Sequence, residues 1–446
     1  MAISAIIGGL VVNDKYMEPQ RLDLIISDGK IIDIILPGKY SSVLMSRFGE
    51  NNSAQIIDAT GCYVMPGLID THVHFRDPGQ TRKEDILTGA MAAKNGGFTS
   101  VVMMANTTPP IDTPETLRYC LKKGRLTGIN IYACGSVTKG MRGEELTDMD
   151  ALHEAGAIGF TDDGKPLMNE DLARKAMENA HRLGVPISFH EEDPAYVKTP
   201  GFNRGFASKC FNIGGADRMA EISLVERDVR LALETGARVV IQHVSAAESI
   251  EFIREGKRLG ADIHAEATPH HFSLTEEDTV RYGALAKMNP PLRTESDRQA
   301  IIAGLRDGTI DLIATDHAPH TIEEKDLGLL KAPSGVIGLE TALALGITNL
   351  VYPGHLTIQQ LYERMSLNPA TVYGLQDAGR VYQGSPADLV IFNPDEPWTV
   401  CDFVSKSSNS PFIGETLYGK IKYVFSGGRL VCSDDREAFF ESLRKR

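Results

Sequence analysis

The chain of 446 residues has one tryptophan and only six cysteines, and Cys62, Cys120, Cys134, Cys210, Cys401 and Cys432 are scattered without a single CxxC pair. That spacing excludes a zinc–thiolate site and argues against a disulfide framework, so the thiols read as buried and reduced. No apolar run approaches the roughly 20 residues needed to span a bilayer. The opening stretch MAISAIIGGLVVNDKYMEP has neither a basic start nor a small-residue cleavage pattern. Basic residues are in deficit, 46 Lys and Arg against 59 Asp and Glu for a formal net charge of -13. No basic stripe is left to neutralise a phosphate backbone, so neither nucleic acid nor a membrane is an expected partner. A cytoplasmic protein is the expectation. At 42% hydrophobic and 24% charged residues, the chain can bury a large core, which excludes a disordered or fibrous class.

One pattern recurs between residues 67 and 320: a short apolar or β-branched run, a polar cluster, then an amphipathic stretch ending in glycine. The strand-like runs are GLIDTHVHF, FTSVVMMAN, INIYACGSVT, AIGFTDDG, VPISFHEED, RVVIQHVS, ADIHAEATPHH and TIDLIATDHAPH. Between them lie helical patterns such as EDILTGAMAAKNGG, NEDLARKAMENAHRLG, MAEISLVERDVRLALETGA and AESIEFIREGKRLG, with apolar residues three to four apart. Eight nearly all-apolar strands alternating with helices predict an α/β chain folded as a (β/α)8 barrel of the TIM type. The flanks differ. LDLIISDGKIIDIIL, GSPADLVIFNP and YGKIKYVFSGGRLV read as strands with Gly and Pro turns. They predict one small β-sandwich-like domain made from both chain ends, residues 1–65 and 377–446, around a barrel at 66–376. SSVLMSRFGENNSAQ is expected to be a loop within it.

In such a barrel the chemistry collects at the C-terminal ends of the strands. Those positions hold His72, His74 and Arg76 after strand 1, Asn106 after strand 2, Asp162 and Asp163 after strand 4, and His190 after strand 5. His243 follows strand 6, His270 and His271 strand 7, and Asp316, His317 and His320 strand 8. His72 and His74 stand at i and i+2, so on a strand they project to one side and can share an ion. A donor set of imidazole and carboxylate without sulfur suits zinc or another first-row divalent ion. His72 and His74 would hold one ion and His190 and His243 a second, with a carboxylate of TDDG bridging them. Both aspartates are candidates, the other serving to orient neighbours. Such ions lower the pKa of bound water towards neutrality, and Asp316 is then placed to shuttle its proton to a leaving nitrogen. His270, His271 and His317 read as supports for the ligands, whereas His153, His181, His264 and His355 read as structural.

The ordered set PGLIDTHVHFRDPG, GGFTSVVMMANTTPP, GFTDDG, FHEED, QHVS, ATPHHFSLT, KMNPPLR and IATDHAPH resembles the amidohydrolase superfamily, and within it the bacterial class I dihydroorotases. The resemblance runs through nearly the whole chain. It implies reversible hydrolysis of dihydroorotate to N-carbamoyl-L-aspartate, with His72, His74, Asp163, His190, His243 and Asp316 as metal ligands. Asp163 would be the bridge, and Asp316 also the acid/base. The resemblance makes Arg76, Asn106 and His320 a clamp on the substrate carboxylate, with His74, Asn289, Ser334 and Gly335 also at the substrate. An arginine fork suits a carboxylate, which a neutral cyclic amide lacks. One or two zinc ions per subunit are implied, two being the expected number. A homo-oligomer such as a dimer, and a complex with aspartate carbamoyltransferase, are the implied assemblies.

One position departs from the family: Ser334 stands before Gly335 in KAPSGVIG where an apolar aromatic is usual. That change spares backbone contacts but removes any stacking. The segment PHTIEEKDLGLLKAPSG is polar and contains glycine, which leaves a lid open as a reading that composition does not decide. Hydantoinases, dihydropyrimidinases and allantoinases share the barrel and the HxH pair but generally bridge their metals with a carboxylated lysine. Here Lys165 falls beyond the turn. A non-catalytic partner of the carbamoyltransferase is the remaining alternative, and such a protein would be expected to lack metal ligands that this chain retains.

Overall fold

The computed structural model describes residues 3–50 and 53–434. The expected extension of the small β domain over residues 1–2 and 435–446, and residues 51–52 of the expected loop, lie outside them.

Eight parallel strands form a ring. In order they are Leu68–Val73, Phe98–Met103, Asn130–Ala133, Phe160–Thr161, Ile187–Phe189, Val239–Ile241, Ile263–Ala267 and Leu312–Ile313, referred to below as barrel strands 1 to 8. Strands 1 to 3 pair in sequence, as do strands 4 to 8. Parallel bridges from Gly135 to Phe160 and from Val73 to His317 close the circle. All eight fall within the runs read from sequence, and each is followed by helix. Helices Ile86–Asn95, Glu170–Leu183, Met219–Thr235 and Ala247–Leu259 match the four amphipathic patterns. Asp85 and Asn169 cap the first two through their side chains, and left-handed Gly184, Gly236 and Gly260 end the last three.

Below the ring lie two further sheets. One has four strands, all from the N-terminal segment; the other has six, three from each end of the chain. The run Leu389–Phe392 shows how the layers join. Leu389 and Ile391 enter a cluster with Ile6, Leu24, Ile26 and Phe425 between the two sheets. Val390 and Phe392 face the opposite way and join the barrel core. Period-two alternation thus lets one apolar strand serve two cores.

Residues 41–55 are not the loop expected from sequence: Tyr40–Phe48 is an α-helix. Its Tyr40, Val43, Leu44 and Phe48 pack on Ala5 and Ile25, the outer face of the four-stranded sheet. That face is apolar because its strands are apolar on both sides, and a helix with residues at i, i+3, i+4 and i+8 covers it.

Phe425 is fully buried between the two sheets. Phe425→Ala is expected to cost about 3–5 kcal/mol, read as a lower urea midpoint; an unchanged midpoint would show that this layer contributes nothing to stability.

Candidate metal centre and substrate pocket

The first barrel strand runs into the site. Within it Asp70 accepts hydrogen bonds from the Thr315 amide and hydroxyl at 3.1 and 2.5 Å, joining strand 1 to the end of strand 8. Two residues on, His72 sets Nδ1 3.0 Å from Glu266 Oε2 on strand 7, whose other oxygen accepts from Thr71 at 2.8 Å. His74 sets Nδ1 2.8 Å from Asn106 Oδ1. The Asn106 amide group donates to Asp163 Oδ2 at 2.9 Å, which fixes its oxygen towards His74.

Both rings therefore engage Nδ1 outward and leave Nε2 facing inward, free to bind an ion once it gives up any proton. His72 Nε2 lies 3.4 Å from Asp163 Oδ1 and 3.6 Å from Asp316 Oδ1, and His74 Nε2 lies 2.9 Å from Asp316 Oδ1 and 3.5 Å from Asp163 Oδ2. His72 Nε2 is buried and has no hydrogen-bond partner. Ring nitrogens this close to carboxylates hold either protons or a cation between them, and the donor set fits a divalent metal ion.

Strands 5 and 6 supply the other half. His190 Nδ1 lies 3.0 Å from His243 Nε2 and 3.6 Å from Asp163 Oδ1. Two trios result, His72 with His74 and Asp163, and Asp163 with His190 and His243, each with ligand atoms within 4.8 Å of one another. Asp163 belongs to both. Asp162, the other candidate of TDDG, turns away to the amides of Val137 and Thr138 and the Thr138 hydroxyl, so it orders the loop after strand 3.

The backbone is bent to make this possible. Arg76, His243 and Asp316 adopt positive φ angles of 57°, 34° and 47°, a region that residues with a Cβ rarely occupy and that concentrates at functional sites.

A cavity of about 220 Å³ opens beside the cluster, lined by His74, Arg76, Asn106, Asp163, His190, His243, Asn289, Asp316, His320, Ser334 and Gly335. Of the residues expected to bind metal or substrate, all but His72 line it. A larger cavity of about 470 Å³, between Asn130, Tyr132 and Asp388, contains no such cluster. Arg76 donates Nε to the Pro319 carbonyl at 3.3 Å. Its neighbour Asp77 pairs instead with Lys123 at 2.5 Å. His320 donates Nε2–H to the Ser334 carbonyl at 2.9 Å and faces Lys83 Nζ with Nδ1 at 3.4 Å. Burial, then the charges of Arg76, Lys83 and Lys325, push its pKa down to about 2, so the ring is neutral. The Ser334 hydroxyl donates to Asn289 Oδ1 at 3.1 Å. The residue that departs from the family pattern thus orients its neighbour in the pocket. His271 bonds the Pro290 carbonyl at 3.0 Å and His317 accepts from the Gly338 amide at 3.2 Å, both supporting roles.

Three residues at the site were missed from sequence. Glu266 orients His72, and Lys83 sets the His320 tautomer. Asn409, far along the chain, bonds the His320 amide and the carbonyls of Ala318 and Gly335. Only Glu266 carried a local signal, an acid inside the apolar run IHAEA.

Burial would lower the His72 and His190 pKa values, but Asp163 outweighs it together with Glu266 for His72 and Glu192 for His190. His72 is held well above its usual value and His190 is carried up to about 10. Below those values an ion must displace protons. Calorimetric zinc titration near pH 7 in buffers of differing ionisation enthalpy is therefore expected to show proton release, with affinity rising as pH is raised. Proton-neutral binding would contradict the assignment. Glu266→Gln is expected to weaken zinc binding by about 10–100-fold in competition with a chromophoric chelator; wild-type affinity would remove Glu266 from the site.

A profile of the Amidohydrolase family matches residues 63–431. Dihydroorotase from Clostridioides difficile is 52% identical over 424 residues, covering 95% of this chain and 98% of that protein. Dihydroorotase from Lactococcus lactis subsp. lactis is 50% identical over 425 residues, covering 95% and 97%. Among solved structures, an L-hydantoinase (dihydropyrimidinase) from Arthrobacter aurescens superposes with a TM-score of 0.84 at 26% identity, covering 97% of this chain and 96% of that one.

Proposed function

The chain belongs to the amidohydrolase family, and from that premise we propose that it is a dihydroorotase, hydrolysing the cyclic amide of (S)-dihydroorotate reversibly to N-carbamoyl-L-aspartate in pyrimidine synthesis. The observation that carries this reading is one pocket lined both by the histidine–Asp163 cluster with Asp316 and by a guanidinium, Arg76. Relatives about half identical over nearly the whole chain bear the same name.

His72, His74, His190, His243, Asp163 and Asp316 would hold two zinc ions, with Asp163 shared between them. When bound, such ions supply Lewis acidity that makes water more acidic and polarises an amide carbonyl. The chain's own residues do the rest. Burial alone would raise the Asp316 pKa, but the adjoining His74 and the charge on His72 hold it well below the usual carboxylate range. Asp316 therefore starts as a base. It takes a proton from the attacking water as the water oxygen bonds to the ring carbonyl carbon, then returns that proton to the ring nitrogen as the C–N bond breaks. The reverse direction uses the same groups, because a catalyst lowers the barrier both ways.

Arg76 anchors the substrate carboxylate, beside His320, Asn106, Asn289 and the Ser334–Gly335 backbone. The amide of Asn106 is already engaged by His74 and Asp163, so its main part is to orient those two. The barrel at 66–376 would be the catalytic unit and the two ends its supporting domain. The six cysteines are unpaired, although Cys210 and Cys401 are exposed and not buried as expected, and free thiols fit a cytoplasmic enzyme. Assembly as a homo-oligomer, or with aspartate carbamoyltransferase, belongs to the same proposal.

A hydantoinase-type activity on neutral rings is the second reading, favoured by the likeness to the L-hydantoinase structure. Against it stand Asp163 at the shared position and Arg76 in the pocket.

Zinc-loaded protein is expected to remove the ultraviolet absorbance of dihydroorotate and to leave dihydrouracil, hydantoin and allantoin untouched. Asp316→Asn is expected to lower kcat by about 10²–10⁴-fold. Turnover of a neutral ring alone would transfer the chain to the hydantoinase side. Inactivity on all four, also with aspartate carbamoyltransferase added, would sink the enzymatic reading.

A further inference from the structure

The loop over residues 326–335 forms one rim of the pocket, and two of its leucines do not anchor it: Leu327 and Leu330 are 56% and 62% exposed, while Ala332 is buried. Two lysines hold it instead. Lys287, on the stretch after barrel strand 7, donates to the carbonyls of Leu329, Leu330 and Ala332 at 2.9, 3.1 and 2.8 Å. Lys325 closes the short helix Ile322–Lys325 and donates to the carbonyls of Pro333 and Gly335 at 2.9 and 3.0 Å. The Gly335 amide returns a bond to the Lys287 carbonyl at 2.9 Å. Five carbonyls of seven consecutive residues thus point at two ammonium groups.

Both lysines are buried, at 2% and 5% exposure, and among the described residues neither has a carboxylate within ion-pair distance. Lys287 Nζ also lies 5.4 Å from the centre of the Phe202 ring. Burial and the nearby charge of Lys287 pull the Lys325 pKa down to about 7. An unneutralised buried ammonium is costly, so its hydrogen bonds must be well formed, and charge-assisted bonds are the stronger kind. The held segment has little room to shift. Gly201, with φ of 80°, lies so close that a Cβ there would meet Lys287 Cγ at 2.5 Å and Ser334 Oγ at 2.7 Å. Through Ser334 the segment also touches Asn289 and His320.

We propose that Lys287 and Lys325 are positioning residues for the substrate pocket, fixing Leu329–Gly335 through charge-assisted bonds to its carbonyls so that Ser334, Gly335, Asn289 and His320 stand ready for the ligand. The proposal rests on the dihydroorotase reading for its substrate and on geometry alone for the loop. Because these residues would touch substrate and transition state alike, their loss should appear in KM rather than kcat. Lys325 has two acceptors, and a glutamine amide has two N–H groups on a side chain one bond shorter, so glutamine can replace its bonds in part without its charge.

The test uses the zinc-loaded full chain with Lys287→Met, Lys325→Met, Lys287→Gln and Lys325→Gln, following zinc content, kinetics with dihydroorotate, and hydrogen exchange of the amides of residues 326–336. The methionine variants are expected to keep wild-type zinc content and a kcat within about threefold, to raise KM by about tenfold or more, and to exchange faster in this loop alone. Lys325→Gln is expected to exchange more slowly and bind more tightly than Lys325→Met, and Lys287→Gln, one donor short, to recover less; the glutamine pair carries the test if a methionine variant does not fold. Wild-type exchange in the loop of the methionine variants, or faster exchange with unchanged KM, would overturn the proposal. A wild-type protein inactive on dihydroorotate would overturn the functional reading instead, and the exchange measurement would still decide whether the lysines hold the loop.

Discussion

A single buried carboxylate organises this molecule. Asp163 has imidazole nitrogens of His72, His74, His190 and His243 at 3.4, 3.5, 3.6 and 3.9 Å. Burial alone would keep such a group protonated, but the charge of His72 and contacts from His190 and His243 hold its pKa well below the usual range. The four rings come from three different strands, so the site exists only when the barrel is closed. The bridge between Val73 and His317 that closes it lies directly beside His72, His74 and Asp316. Fold and chemistry are joined at that seam.

Around the carboxylate two of the four rings are held by a group that chooses their tautomer. Glu266 does this for His72, and Asn106 does it for His74 while also bonding Asp163. These partners make the ring nitrogens converge, so that a cation can take the place of the protons the cluster holds without one. The same economy appears at the rim, where Asn409 joins His320, Ala318 and Gly335 in one carboxamide. That residue comes from the C-terminal portion, which returns to the barrel mouth through Ser405 and Ser407 after leaving the six-stranded sheet. The two chain ends therefore support the barrel from below, and the C-terminal one also braces its mouth.

Much of this was legible in the sequence because it is written in local spacing. HxH on a strand places two rings on one side, and eight apolar runs each followed by a polar cluster place those clusters at one end of a barrel. What stayed hidden is non-local. Nothing near TDDG tells which aspartate faces inward; the amides of Val137 and Thr138, on the loop after the preceding strand, decide it by capturing Asp162. Lys83, Lys287, Lys325 and Asn409 look like ordinary loop residues until the fold brings their acceptors to them. The helix Tyr40–Phe48 is a different case. Its period was present in Tyr40, Val43, Leu44 and Phe48, but the reason for a helix lies in the apolar outer face of a sheet assembled from other segments.

Diffraction from crystals of zinc-loaded protein at the zinc absorption edge tests the central role of Asp163 most directly. Two anomalous peaks are predicted, one between His72 and His74 and one between His190 and His243, each within coordination distance of the Asp163 carboxylate. Peaks that leave Asp163 uncoordinated, or that lie away from these histidines, would contradict it.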